Sequence, residues 1–322
     1  GAIANQKFNP VLSDTSPPFL YGGLGAEKST GQVTIGPGSV MRILPEWGSA
    51  DKVIGTSLAL RSQVNARGRI VHFGPDAMLQ APNGNVTVQT GVWDLDGPQN
   101  RTAFVRNSGQ IYVERDTLIS VAGTTDAPSP LSNHILTVTL RSSELADSPL
   151  QRTSFFRGGD ITVDLRKTGT FNGREWVGTP LADLRGYLNI IERTVDELTV
   201  AGGSVNLNSG GSIVVQPGAV IDTSAGWLNY GSGYVRTTRL LRQGRLVDIA
   251  TATPDAVYDR IFTGLFEDLH PRWNITRTYR VPWMDGEHFE EGYLSGANAG
   301  NLSLAAATMA LDGFFRGAAV SG

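Results

Sequence analysis

A chain of 322 residues of which 40% are hydrophobic can bury a core, which excludes an intrinsically disordered segment. Charged residues make up only 18% and the formal net charge is -3, so the basic surface that nucleic acid or acidic lipid requires is missing. There is no cysteine and no run of about 18 apolar residues, which excludes a disulfide framework and a membrane-spanning helix.

Residues 1–30 carry no repeating pattern and read as an N-terminal arm or irregular coil. The opening GAIANQKFNP has neither a basic start nor an apolar stretch, so any secretion signal is expected to lie outside this sequence. From residue 31 a module recurs: QVTIGPGSVMR (32–42), IVHFGPDAMLQ (70–80), QIYVERDTLIS (110–120) and SIVVQPGAVID (212–222). Each copy has an alternating apolar pair, a tight turn and a closing apolar residue. Aligned, the pairs are Val33/Ile35, Val71/Phe73, Ile111/Val113 and Ile213/Val215, and the closing residues are Met41, Leu79, Ile119 and Ile221. Alternation over four or five residues predicts strands with one buried face, cut short by Gly and Pro.

A shorter signature, Gly-polar-apolar-x-apolar, starts at Gly31, Gly84, Gly109, Gly159, Gly203, Gly211 and Gly300. Between the modules, further coil strands are expected at NVTV (85–88), ILTVTL (135–140) and DITVDL (160–165). Antiparallel sandwiches favour longer strands joined by two-residue turns, whereas here the joins are Gly-Gly, Pro-Gly and Ser-Ala-Gly between very short strands. The expectation is an all-β parallel solenoid, a β-helix over 31–226 with loop excursions. Residues 202–226 make about one coil, with Val205, Leu207, Ile213, Val215 and Ile221 inward and Ser204, Asn206, Asn208, Val214 and Asp222 outward.

TPLADLRGYLNIIERTVDEL (179–198) reads as a short helix near 180–192, with Thr179 as N-cap, Pro180 at N1, and Leu184, Leu188 and Ile191 on one face. Residues 227–296 carry no coil signature and many aromatics, and are expected to form an extrahelical insertion whose aromatics pack it onto the solenoid. GNLSLAAATMALDGFFRG (300–317) returns to the coil pattern, so 297–322 is read as a further coil of a longer repeat protein.

At GGSIVVQPGAVIDTSAG the sequence resembles the large exoproteins of the filamentous-haemagglutinin family, secreted by Gram-negative bacteria through two-partner secretion. The resemblance is clear at 202–226, fair at 31–44, 68–91, 109–123 and 300–317, and absent from 227–296. It implies a right-handed parallel β-helix, secreted or at the cell surface, acting in adhesion as a rigid stalk. It also implies an outer-membrane transporter during secretion as partner, with a surface glycan or protein as receptor. Absence of Cys is usual in such proteins, which cross the outer membrane unfolded.

Parallel β-helices also carry polysaccharide-cleaving sites, so a carbohydrate-active enzyme or tailspike-like depolymerase is the alternative. Asp94 and Asp96 in WDLDG are its candidate catalytic pair, on one side of a strand; the plainer reading is a polar outer face. Asp160 and Asp164 read as solvent-facing strand positions without a basic partner. His288 and Glu291 lie at helical i, i+3 spacing, and His270 could supply a third metal ligand, but an exposed acidic turn explains them as well. Trp273, Trp283, Asp285 and Tyr293 are the candidate binding residues, because aromatics beside carboxylates suit a sugar ring. The Gly-Gly pairs lead into strands and not helices, so no phosphate or other cofactor is expected.

Overall fold

The computed structural model describes residues 31–55, 58, 61–94, 103–262, 265–280 and 287–322, and its secondary structure is predominantly β. Among the described residues no helix is long and apolar enough to cross a membrane.

Three parallel sheets share one core. The first contains Gln32–Ile35, Ile70–Phe73, Gln110–Val113, Ser212–Val215 and Thr308–Leu311. The second contains Val40–Arg42, Met78–Gln80, Leu118–Ser120, Val220–Asp222 and Phe314–Arg316. The third contains Gln63–Gly68, Asn85–Thr90, Ser204–Ser209 and Asn301–Ala305. The chain runs from third to first to second sheet and then repeats, laying one strand on each sheet per rung.

The alignment of the four modules coincides residue for residue with the backbone register. Val33 faces Val71, Val71 faces Ile111, Ile111 faces Ile213 and Ile213 faces Met309. In the second sheet Met41, Leu79, Ile119, Ile221 and Phe315 form the matching row. Val33, Val71, Ile111, Ile213, Leu79, Ile119 and Ile221 of these rows, with Val86, Val88, Val205 and Leu207 of the third sheet, belong to one buried cluster against which Met41 packs, whereas Met309 and Phe315 are exposed. Full burial of each such aliphatic side chain contributes about 1.5–3 kcal/mol. The residues read as inward at 202–226 are all fully buried.

The corner between first and second sheets depends on one backbone conformation. At its third position stand Gly38, Asp76, Asp116 and Gly218, and all four have positive φ, from 57° to 87°. Only Gly, Asn and Asp visit that region at small cost, which explains why Arg115-Asp116 can replace Pro-Gly in the third copy. The corner before the third sheet is set instead by close approach. A Cβ on Gly203 would lie 2.1 Å from Gly84 O, and one on Gly300 would lie 1.7 Å from Gly203 O. Glycine lets successive rungs touch there.

Two of the expected strands are not in these sheets. Ile135–Thr139 and Asp160–Asp164 pair with each other, antiparallel. Their alternation is that of any one-faced strand, and the left-handed corner that follows a coil strand is missing after Asp164. The expected helix also differs. Residues 185–190 form a 3-10 turn, and Thr179 caps nothing helical: its buried hydroxyl donates to Ile249 O at 2.7 Å and accepts from Leu181 N–H at 3.2 Å. Gly186 and Asn189 weaken an α-helix there. The α-helix is Val195–Leu198, closed by a Thr194/Glu197 capping box.

The two long excursions, 121–203 and 223–300, build a lateral lobe together. Val138, Leu140, Leu145, Phe156, Ile161 and Val163 from one pack with Leu240, Ile249, Ala252 and Tyr258 from the other. Ala127–Ser129 and Trp227–Tyr230 pair in parallel, and Tyr293–Gly296 adds an antiparallel strand. The aromatics expected to form the core of 227–296 do so only in part: Tyr230 is buried with Leu131, Leu228 and Val235, whereas Tyr234, Trp273, Tyr279, Phe289 and Tyr293 are exposed. Mainly aliphatic residues of both excursions, with Phe156 and Tyr258, fill the lobe core, and the exposed rings stay on the surface.

Candidate functional site

The lobe contains a cleft of about 1120 Å³. One wall is the hairpin Thr168–Phe171 with Arg174–Val177, turned by Asn172 and Gly173 at φ of 48° and 77°. Two successive left-handed residues match the right-handed twist of the paired strands, and Asn-Gly is the pair that adopts them most readily. Another part of the lining is the turn-rich stretch 144–150, fixed by Ser148 Oγ donating to Leu181 O at 2.6 Å and by the adjoining Gln151, whose Nε2 donates to Ala256 O at 2.7 Å.

Trp176 is held by its cross-strand neighbour Gly169. A Cβ on Gly169 would come 2.6 Å from Trp176 Cζ2, so the indole lies against bare backbone. The ring is partly exposed and lines the cleft. Two ion pairs line the same cleft. Arg174 forms an ion pair with Asp147, joining the hairpin to the 144–150 stretch. Arg185 donates to both oxygens of Asp183, Nε to Oδ1 at 2.8 Å and Nη2 to Oδ2 at 2.6 Å.

These contacts set the charge states. The Arg185 hydrogen bonds hold Asp183 below the ordinary carboxylate pKa. Burial pushes Glu144 up, but hydrogen bonds from its own N–H, the Ser143 hydroxyl, the Arg141 N–H and Tyr187 outweigh it and leave Glu144 lowered. Both carboxylates are therefore ionised acceptors at neutral pH, the opposite of what a general acid needs.

A second cluster ties the excursions together. Arg166 donates to Asp164 through Nε (2.9 Å to Oδ1) and Nη2 (2.7 Å to Oδ2), and Nη2 also reaches Glu290 Oε2 at 2.7 Å. Its guanidinium carbon lies 5.9 Å from the Tyr293 ring centre, and that ring stacks on Tyr230 at 4.7 Å. Tyr230 Oη and His134 Nε2 are 2.7 Å apart. Burial, then the Arg166 charge, depresses the His134 pKa and keeps the ring neutral. Asp164, read as solvent-facing and without a partner, is thus a buried member of an ion cluster.

The candidate residues fall apart spatially. Asp94 ends the strand Val92–Asp94, opposite Ala103 in an antiparallel pair, and Asp96, Trp283 and Asp285 lie outside the described residues. Trp273 sits in a 3-10 turn with its ring 5.9 Å from that of His270, whereas Tyr293 belongs to the Arg166 cluster. His288 lies on the strand Glu287–Glu290, where positions three apart point to opposite faces, so the helical spacing to Glu291 does not hold. Its Nε2 is 3.0 Å from Glu290 Oε1 instead. Among the described residues no three His, Asp or Glu side chains converge as metal ligands.

The cleft went unseen in the sequence, although FNGRE at 171–175 carries a two-residue hairpin signal. Comparison with protein-family models, with curated proteins and with solved structures finds no match for this chain.

Proposed function

We propose that the three parallel sheets are the faces of a right-handed parallel β-helix, and that the chain is a segment of a secreted bacterial surface protein of the filamentous-haemagglutinin kind. The sheets serve as a rigid stalk, and the lateral lobe is the surface offered to a receptor. The observation that carries this reading is the agreement between module alignment and register over successive rungs of all three sheets. A rung whose strands are spaced about 4.8 Å apart repeats cheaply, because each new rung buries its inward row on the last. Glu144 and Asp183, both held below the ordinary carboxylate pKa by hydrogen bonds, support binding in preference to acid-catalysed cleavage.

Antibody against the folded chain should label intact producing cells or their culture fluid, and a surface coated with the chain should retain cells. Labelling only after permeabilisation, or no retention above an uncoated surface, would overturn the reading.

A further inference from the structure

We propose that the cleft beside Trp176 binds an uncharged oligosaccharide, with a pyranose ring on the indole face and its hydroxyls shared between the Arg174/Asp147 and Arg185/Asp183 pairs. The proposal names a ligand class for the lobe and so rests on the reading of the lobe as the receptor-facing surface.

Three observations converge. The cleft is roomy enough, at about 1120 Å³, for more than one sugar ring. Trp176 is a fixed platform, because Gly169 seats its far side against backbone and Arg174–Val177 is a paired strand. An immobilised indole stacks without a large loss of rotamer freedom on binding. Finally, each ion pair presents acceptors beside donors: the Asp183 oxygens are held by Arg185 at 2.6 and 2.8 Å, and Arg174 contacts Asp147, all four residues lining the cleft. A vicinal diol both donates and accepts, and such a pair can satisfy both roles without a net charge on the ligand.

Charge disfavours anionic competitors. Carboxylates outnumber guanidinium groups in the lining, and both arginines are engaged with carboxylates, so a uronate, sulfate or phosphate would meet repulsion. Glu175 and Asp255 keep the lining net acidic, so a cationic peptide is the competitor that the oligolysine titration must exclude, although Asp147 and Asp183 are engaged by arginines. Glu144 is likewise occupied, accepting from the Arg141 N–H and the Ser143 hydroxyl at 2.9 Å each and from Tyr187 Oη at 3.2 Å.

The test is calorimetric titration of the 322-residue chain with maltohexaose, chitohexaose, oligogalacturonate and oligolysine, backed by a neutral-glycan array. An uncharged oligosaccharide should bind, and oligogalacturonate should bind at least about tenfold more weakly. Trp176→Ala should weaken binding by about tenfold, Trp176→Phe by about threefold or less, and Gly169→Ala, which displaces the indole without removing it, by an intermediate factor. The graded series separates a lost platform from a misfolded hairpin. No binding by any uncharged glycan, tighter binding of oligogalacturonate or oligolysine, or Trp176→Ala binding as well as the parent would overturn the proposal. Cell retention by a chain that binds no glycan would sink this proposal and leave the surface-protein reading standing; glycan binding by a chain never found outside the cell would do the reverse.

Discussion

Ile213 and Met309 occupy the same row of the first sheet, one rung apart, and truncating each should have very different costs. Ile213 is fully buried between Ile111 and Met309, whereas Met309 keeps 41% of its surface in solvent. Ile213→Ala deletes three carbons. At about 0.8 kcal/mol per buried methylene that is roughly 2.4 kcal/mol of transfer free energy, and the cavity left between two fixed rungs brings the total to about 3–4 kcal/mol. Met309→Ala removes a chain of similar length, but exposure cuts the transfer loss to roughly 1 kcal/mol and no closed cavity forms. Urea unfolding followed by far-UV circular dichroism, with intrinsic fluorescence as a second probe, measures both. The two probes must coincide before the midpoints are converted to free energies, because a stacked array can unfold piecewise. Equal costs for the two variants, or a smaller one for Ile213→Ala, would refute the assignment of this row to a continuous buried stack.

The left-handed corner gives a second contrast: Asp116→Gly should be within a few tenths of a kcal/mol of the parent or slightly more stable, and Asp116→Val should cost about 1–2 kcal/mol, both read from thermal midpoints. The Arg166 cluster should make the lobe sensitive to acid. Burial raises Asp164, but the bonds from Arg166 outweigh it, so its folded pKa lies below the unfolded 3.8. The stabilisation is then complete above about pH 5 and is lost as pH falls through 3.8 toward the folded value, since the unfolded chain takes up the proton first. Asp164→Asn should lower stability at pH 7 by about 2 kcal/mol and flatten the dependence between pH 5 and 3, as urea midpoints at each pH would record. His134 adds to the same trend from a higher window: its folded pKa is depressed below 6.5, and imidazole proton shifts should place its titration there.

Much of the three-sheet core could be read directly because its information is local. Val33/Ile35 and its three counterparts lie within four residues of a turn that only a few residue types can make, so pattern and corner point to the same register. Gln63–Gly68 escaped notice for the same reason in reverse: its inward residues include Val64 and Ala66, and no glycine precedes it. The lobe was hidden because its core is assembled from distant pieces. Phe156 meets Tyr258 edge to face at 6.1 Å, about a hundred residues away in the chain, and no window of sequence carries that contact. Local signals did exist for two lobe elements, the Asn172-Gly173 turn and the Thr194/Glu197 capping box, and each sat beside a stronger but misleading pattern. The cleft needs both the hairpin and the 144–150 stretch in place, so it becomes visible only with the tertiary fold.

The four passages from the second sheet to the third are of very different length. Four residues, 81–84, join Gln80 to Asn85, whereas 121–203 separate Ser120 from Ser204, yet both sets of strands pair in the same register. For a flexible loop the entropy of closure rises only with the logarithm of length, so going from four residues to about eighty costs roughly 2.7 kcal/mol. A folded lobe with its own buried core can offset that. This corner is therefore where the chain can lengthen at little cost, while the first-to-second corner, held to four residues by its left-handed turn in four of the five rungs, cannot. New folded segments can be inserted at the one corner and exchanged there without disturbing the pairing of the three sheets.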